Sequence, residues 1–106
     1  MKANDYVRTN SGWICKLGYY DDEKNRWITF NENDWHPLYE SEVKISSPNI
    51  IDLIEVGDII INQQREIIVP TGGNIDELKD TWKIFKNIKS IVTKEQIESM
   101  EYKVKE

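Results

Sequence analysis

The first half of the chain alternates between apolar and polar positions. From Trp13 to Asp21, residues Trp13, Cys15, Leu17 and Tyr19 fall on one side and Ile14, Lys16 and Tyr20 on the other. That period of two predicts a half-buried strand. A shorter strand, Asp5–Thr9, precedes it across the turn signal Asn10-Ser11-Gly12,. Arg26–Asn31 returns as a third strand after the polar loop Asp22-Glu23-Lys24-Asn25. Asn25 suits the left-handed conformation that closes such a hairpin. Pairing Asp21 with Arg26 then places Tyr19 opposite Ile28 and Leu17 opposite Phe30 on the core side, with Tyr20 opposite Trp27 outside. A slip of one residue would destroy both matches.

The pattern changes after Asn31. Asn33–Glu40 reads as irregular, because Pro37 cannot donate in a central strand. Ser41–Ser46 reads as a short strand with Val43 and Ile45 inward. Ser47-Pro48 is a helix start: the serine can cap and the proline suits the first helical position. The apolar turn through Ile54 then ends at Gly57. Asp58–Asn62 and Glu66–Val69 read as a buried hairpin, and their isoleucine runs predict burial on both faces,.

Ile75–Val92 carries two signals. Ile75, Leu78, Trp82, Phe85 and Ile88 recur at helical spacing, with Asn74 and Glu77 as a capping pair, while Thr81–Thr93 is rich in β-branched and aromatic residues,. The reading is a short helix over Ile75–Lys79 followed by a strand ending at Val92. Thr93 starts the clearest helix: Thr93 and Gln96 match a capping box, and Val92 with Ile97 a hydrophobic staple. Tyr102 and Val104 alternate as a terminal strand. The predicted class is all-β: a small SH3-like barrel or strongly bent antiparallel sheet with two short helices, at Ser47–Ile54 and Thr93–Met100, in a single domain over 1–106.

Composition narrows the function. The chain has 106 residues and a formal net charge of -5. Phosphate backbones repel such a chain, which argues against direct nucleic-acid binding, whereas a basic protein surface would attract it. One cysteine, Cys15, rules out an internal disulfide and a thiol-rich metal site,. The start lacks a secretory pattern and no apolar run approaches membrane-spanning length, so a cytoplasmic protein with no membrane association is expected. No P-loop or dinucleotide fingerprint is present. The lone His36, next to Pro37 and near Asp34, has no second histidine with which to complete a metal cluster. No cofactor, metal or catalytic group is expected.

Two segments, NIIDLIEVGDI (Asn49–Ile59) and IKSIVTKEQIESMEYKV (Ile88–Val104), carry a resemblance. They look like the shared core of a family of small phage and prophage proteins from low-GC Gram-positive bacteria. The start Tyr6-Val7-Arg8-Thr9 with Gly12 is similar to that family's first strand and turn. The resemblance implies a gene on a mobile element and a protein at work in the host cytoplasm; it carries over no functional residues. Physically, both segments read as scaffold, so partner contact is expected in the freer regions between them.

Four tryptophans and five tyrosines stand out in so short a chain. Trp13 and Trp82 read as core. Tyr20, Trp27, Trp35 and Tyr39, beside the acids Asp21, Asp22, Glu23, Asp34 and Glu40, read as a partner-binding patch of aromatic anchors in an acidic surround. The resulting expectation is a non-enzymatic inhibitor that binds a host defence factor, such as a basic nuclease of the CRISPR type. One alternative is a sponge for a defence-signalling nucleotide, using aromatic stacking and a backbone nest at Gly72-Gly73. Local positive charge from Arg26, Arg65 or Lys83 would have to support it. A structural or transcription-linked phage protein is the other.

Overall fold

The hairpin that opens the chain is built by its own turn chemistry. β1 (Tyr6–Thr9) and β2 (Ile14–Asp21) pair antiparallel, with Val7 opposite Cys15. Gly12 turns the chain between them at φ 90°, a conformation that costs glycine nothing,. β3 (Arg26–Asn31) folds back on β2 through a loop in which Asn25 adopts the expected left-handed φ of 51°. β4 (Asp34–Leu38) and β5 (Val43–Ser47) complete an antiparallel five-stranded sheet in the order β4-β3-β2-β1-β5. The computed structural model of the protein describes residues 1–31, 34–85 and 88–100. Its chain divides into two compact units, Met1–Leu53 and Ile54–Glu106.

The expected register holds at one end of the β2–β3 hairpin and fails at the other. Tyr19 faces Ile28, Tyr20 faces Trp27 and Asp21 faces Arg26, but Leu17 pairs with Thr29 and Lys16 with Phe30. The pairing shifts by one residue between Leu17 and Tyr19. Gly18 is the inserted residue, and such a bulge reverses the side on which the following side chains lie. Leu17 and Trp27 therefore share a face, while Tyr19, Ile28 and Phe30 share the other. The core of this unit is Val7, Leu17, Trp27 and Leu38, with Cys15 and Val43 packed against it. Trp27, expected outside, is only 9% exposed, and Trp13, expected in the core, is 57% exposed.

Two further departures concern β4 and the first helix. Asn33–Glu40, read as irregular, contains β4, which pairs with β3 along its length. Pro37 is tolerated because β4 is an edge strand, where a missing donor faces no neighbour,. The helix expected from Ser47 to Ile54 is one 3-10 turn, Ile50–Leu53. Ser47 ends β5 instead; its Oγ accepts the Asn49 N–H at 3.1 Å and donates to Asp52 Oδ2 at 2.6 Å. Buried Arg8 ties the sheet to this turn by donating from Nη1 to the Leu53 carbonyl at 3.0 Å.

The C-terminal unit holds a three-stranded antiparallel sheet in the order β7-β6-β8, formed by β6 (Ile59–Asn62), β7 (Ile67–Ile68) and β8 (Ile88–Val92). Central β6 buries Ile60, as its apolar run predicts. On edge strand β7, Ile67 is exposed, against the expectation of two buried faces. α1 spans Ile75–Phe85, so the helical spacing prevails over β-propensity through Phe85. α2 spans Lys94–Met100 and starts as expected: Gln96 N–H donates to Thr93 Oγ1 at 3.3 Å, and Thr93 N–H to Gln96 Oε1 at 3.0 Å,. The terminal strand expected at Tyr102 and Val104 lies outside the described residues.

The small antiparallel-sheet fold is therefore what the chain adopts. Among the described residues neither sheet closes into a barrel, and each keeps two edge strands. No helix among the described residues is long and apolar enough to cross a membrane.

Candidate functional site

The bulge at Gly18 creates an exposed aromatic surface on the N-terminal unit. Because it moves Tyr19 across the sheet, Tyr19 joins Phe30 and Trp35 on the face opposite the core. The Phe30 and Trp35 rings meet edge-to-face with centroids 4.9 Å apart, and Tyr19 and Trp35 lie 5.9 Å apart. All three stay about half exposed: Tyr19 55%, Phe30 49% and Trp35 57%. Ile28 fills the sheet face between them and is buried. A Cβ on Gly18 would sit 2.8 Å from the Ile28 carbonyl oxygen and 3.2 Å from the Trp35 ring. The missing side chain thus lets the indole lie against the backbone. The same face carries Lys16, whose ammonium lies 5.6 Å from the Tyr6 ring centre,.

Of the residues expected to form a partner-binding patch, only Trp35 belongs to this cluster. Trp27 is in the core. Tyr20 packs edge-to-face on Trp27 at 5.3 Å, on the core side of the sheet, and remains partly exposed. Tyr39 and Glu40 are exposed at the 3-10 turn that follows β4. Asp22 and Glu23 are exposed in the β2–β3 loop. Asp21 is half-buried and already engaged: Arg26 Nε lies 3.6 Å from Oδ2, and Oδ1 accepts the Glu23 N–H. The side chains of Asp34 and Lys83 lie outside the described residues. Tyr19 and Phe30 were missed because strict alternation assigned both to the core. Gly18 inside an otherwise apolar strand was the available signal, since such a glycine marks a bulge or a close approach.

The core side of the same sheet carries a cleft of about 250 Å³. Cys15 and Leu38 line its apolar part, while Trp13, Thr29, His36 and Glu42 lie around it. The turn that carries Trp13 is fixed by three hydrogen bonds: Thr9 N–H to the Trp13 carbonyl, Gly12 N–H to the Thr9 carbonyl, and Trp13 N–H to Thr9 Oγ1. Burial pushes the Cys15 thiol up from its ordinary value of 9.0, so it stays protonated and a poor nucleophile at neutral pH,. Among the described residues, no group of three or more His, Cys, Asp or Glu side chains converges as a metal site.

Gly72 and Gly73 lie in the turn that starts α1, where Thr71 N–H donates to Asn74 Oδ1 at 2.7 Å. Neither glycine has the positive φ that an alternating backbone nest requires,. Arg65, by contrast, has φ 65° in the loop joining β6 to β7 and is exposed.

Comparison of the chain with protein-family models, curated proteins and solved structures finds no match.

Proposed function

We propose that the protein is a non-enzymatic binding protein that grips a protein partner with the aromatic face of its five-stranded sheet and inhibits it. The observation that carries this reading is the Tyr19–Phe30–Trp35 cluster. Three large rings, joined through Trp35 and half exposed on one face of the sheet, form the kind of apolar patch that marks an interaction surface,. Aromatic side chains held in place lose little entropy on binding and dominate interface energetics. The net charge of -5 favours a partner with a basic surface,. The resemblance of Asn49–Ile59 and Ile88–Val104 to phage and prophage proteins makes a host defence factor, such as a basic nuclease, the first partner to test.

The test is a binding and inhibition titration of the parent, Trp35→Ala and Tyr19→Ala against purified basic defence nucleases from Gram-positive hosts. The parent should bind and slow cleavage. Each anchor variant should weaken both effects by about 2 kcal/mol, the cost typical of a central interface residue. Folded variants that bind and inhibit like the parent would place the interface elsewhere. If no nuclease is retained and a nucleotide co-purifies instead, the protein is a nucleotide sponge.

A further inference from the structure

The cleft on the core side of the sheet is distinct from the aromatic face, and its chemistry points to a different occupant. Thr29 and Glu42 each offer it an acceptor. The Thr29 hydroxyl spends its proton on the His36 carbonyl at 3.0 Å, which leaves lone pairs only,. Thr9 Oγ1 accepts the Trp13 N–H and shares a 3.0 Å hydrogen bond with Ser11 Oγ. Glu42 is held by one oxygen, which accepts the Tyr39 N–H at 3.2 Å. Its other oxygen remains an acceptor.

Charge points the same way. Among the described residues, Glu42 is the one acidic side chain lining the cleft, and no lysine or arginine lines it. His36 also lines the cleft, and its imidazole can donate as well as accept,. The buried Cys15 thiol stays protonated and brings no second negative charge. Trp13 also lines the cleft; it is 57% exposed and its backbone is held in the turn. Trp13 and Glu42 both line the cleft, and an aromatic ring and a carboxylate each attract an organic cation,. The volume of about 250 Å³ lies below the usual range for drug-sized ligands, so the occupant is small,.

We infer that this cleft binds the head of a small organic cation, a guanidinium or alkylammonium group, between the Trp13 indole and the Glu42 carboxylate. The N–H donors of the cation meet Glu42 and the lone pairs of Thr29, and its alkyl stem lies along Leu38. The source is either a free amine or guanidine, or the tip of a basic side chain on another protein. This inference does not depend on the aromatic face: the two surfaces lie on opposite sides of the sheet and are removed by different substitutions.

The test uses the full chain and three probes: butylguanidinium, butylammonium and the neutral isostere butylurea. Proton–nitrogen NMR follows the Trp13 indole N–H and the backbone amides of Ser11, Thr29 and Glu42. Both cations should produce saturable shifts at these positions, and butylurea should bind about tenfold more weakly or less. Glu42→Gln keeps the acceptor for the Tyr39 N–H but removes the charge, and Trp13→Leu removes the ring from an exposed position. Each should weaken cation binding about tenfold without altering the rest of the spectrum. A blocked Gly-Arg-Gly peptide separates the sources: binding comparable to butylguanidinium indicates a protein side chain, and binding of the free cation alone indicates a small molecule. Butylurea binding as well as the cations, an unaffected Glu42→Gln variant, or the absence of saturable shifts at Trp13 would overturn the inference. A chain that binds the cations normally but ignores every nuclease would defeat only the partner reading.

Discussion

The carboxylate of Asp58 accepts the backbone N–H of Lys94 at 2.9 Å, across thirty-six positions of sequence. Its second oxygen accepts the Glu55 N–H at 2.7 Å, and the Lys94 ammonium pairs with Glu55 at 2.8 Å. Asp58 is fully buried. It therefore closes the Glu55–Asp58 turn and satisfies a free donor in the first turn of α2,. One carboxylate thus ties the Glu55–Asp58 turn to the start of α2.

Removing that carboxylate should be costly. Asp58→Ala leaves two part-buried N–H donors without this acceptor and should destabilise the C-terminal unit by about 2–4 kcal/mol,. Asp58→Asn keeps one acceptor oxygen and should cost less. Urea melts of the three proteins measure the order; an alanine variant as stable as the parent would mean that water replaces both contacts.

The cap at α2 gives a smaller, separable effect. Thr93→Ala removes the acceptor for the Gln96 N–H and should cost about 1 kcal/mol. Gln96→Ala removes the reciprocal acceptor, and because the two residues form one box the double variant should cost less than the sum. A thermodynamic cycle from four denaturation curves measures that coupling.

Gly18→Ala tests the bulge. The added methyl would press on the Ile28 carbonyl and the Trp35 ring. A ring can yield but backbone cannot, so the expected cost is about 1–3 kcal/mol, with Trp35 displaced. Chemical shifts of the Trp35 indole N–H report the displacement directly. An unchanged indole signal and an unchanged melt would contradict the close packing.

Cys15 makes stability depend on pH at the alkaline end. Burial raises its pKa in the folded state above the unfolded value of 9.0. The folded chain therefore holds the thiol proton more tightly, and the stability linked to it is complete below pH 9.0 and falls as pH rises through the folded value,. Cys15→Ala should remove that part of the alkaline decline. At neutral pH the thiol should react with a disulfide reagent more slowly than an unstructured cysteine does, and unfolding in urea should abolish the difference.

What could be read from sequence follows the range of the interaction involved. Thr93 with Gln96, Asn25 in its loop and Gly12 in its turn were legible because each acts within a few residues. The Tyr19–Ile28 pairing was legible because Asp21 and Arg26 anchor it from the adjacent loop. Leu17–Phe30 failed because one inserted glycine reverses all alternation beyond it. Trp27 was misplaced for a related reason: alternation separates the two faces of a strand without saying which one Val7 and Leu38 will cover. The cleft was invisible because it arises where Trp13, Thr29 and Glu42 meet from distant parts of the chain.

The last prediction divides the proposed interface by kinetics. Trp35 and Tyr19 would fill pockets on the partner, so their removal should chiefly speed dissociation. Asp22 and Glu23 are exposed in the loop and can steer a basic partner from a distance, whereas the charge of Asp21 is offset by Arg26. Reversing Asp22 and Glu23 to lysine should therefore slow association, and the effect should shrink as added salt screens the charges. Asp21→Asn should alter association less, because it removes a charge already paired. Trp27→Ala belongs to a different class: it empties the core and should cost about 3–5 kcal/mol of stability, so any loss of binding would follow loss of fold. Surface-plasmon traces at two salt concentrations, beside melts of each variant, separate these effects. Equal association rates for the parent and the charge-reversed loop at low salt would remove the acids from the interface and leave the aromatic face to act alone.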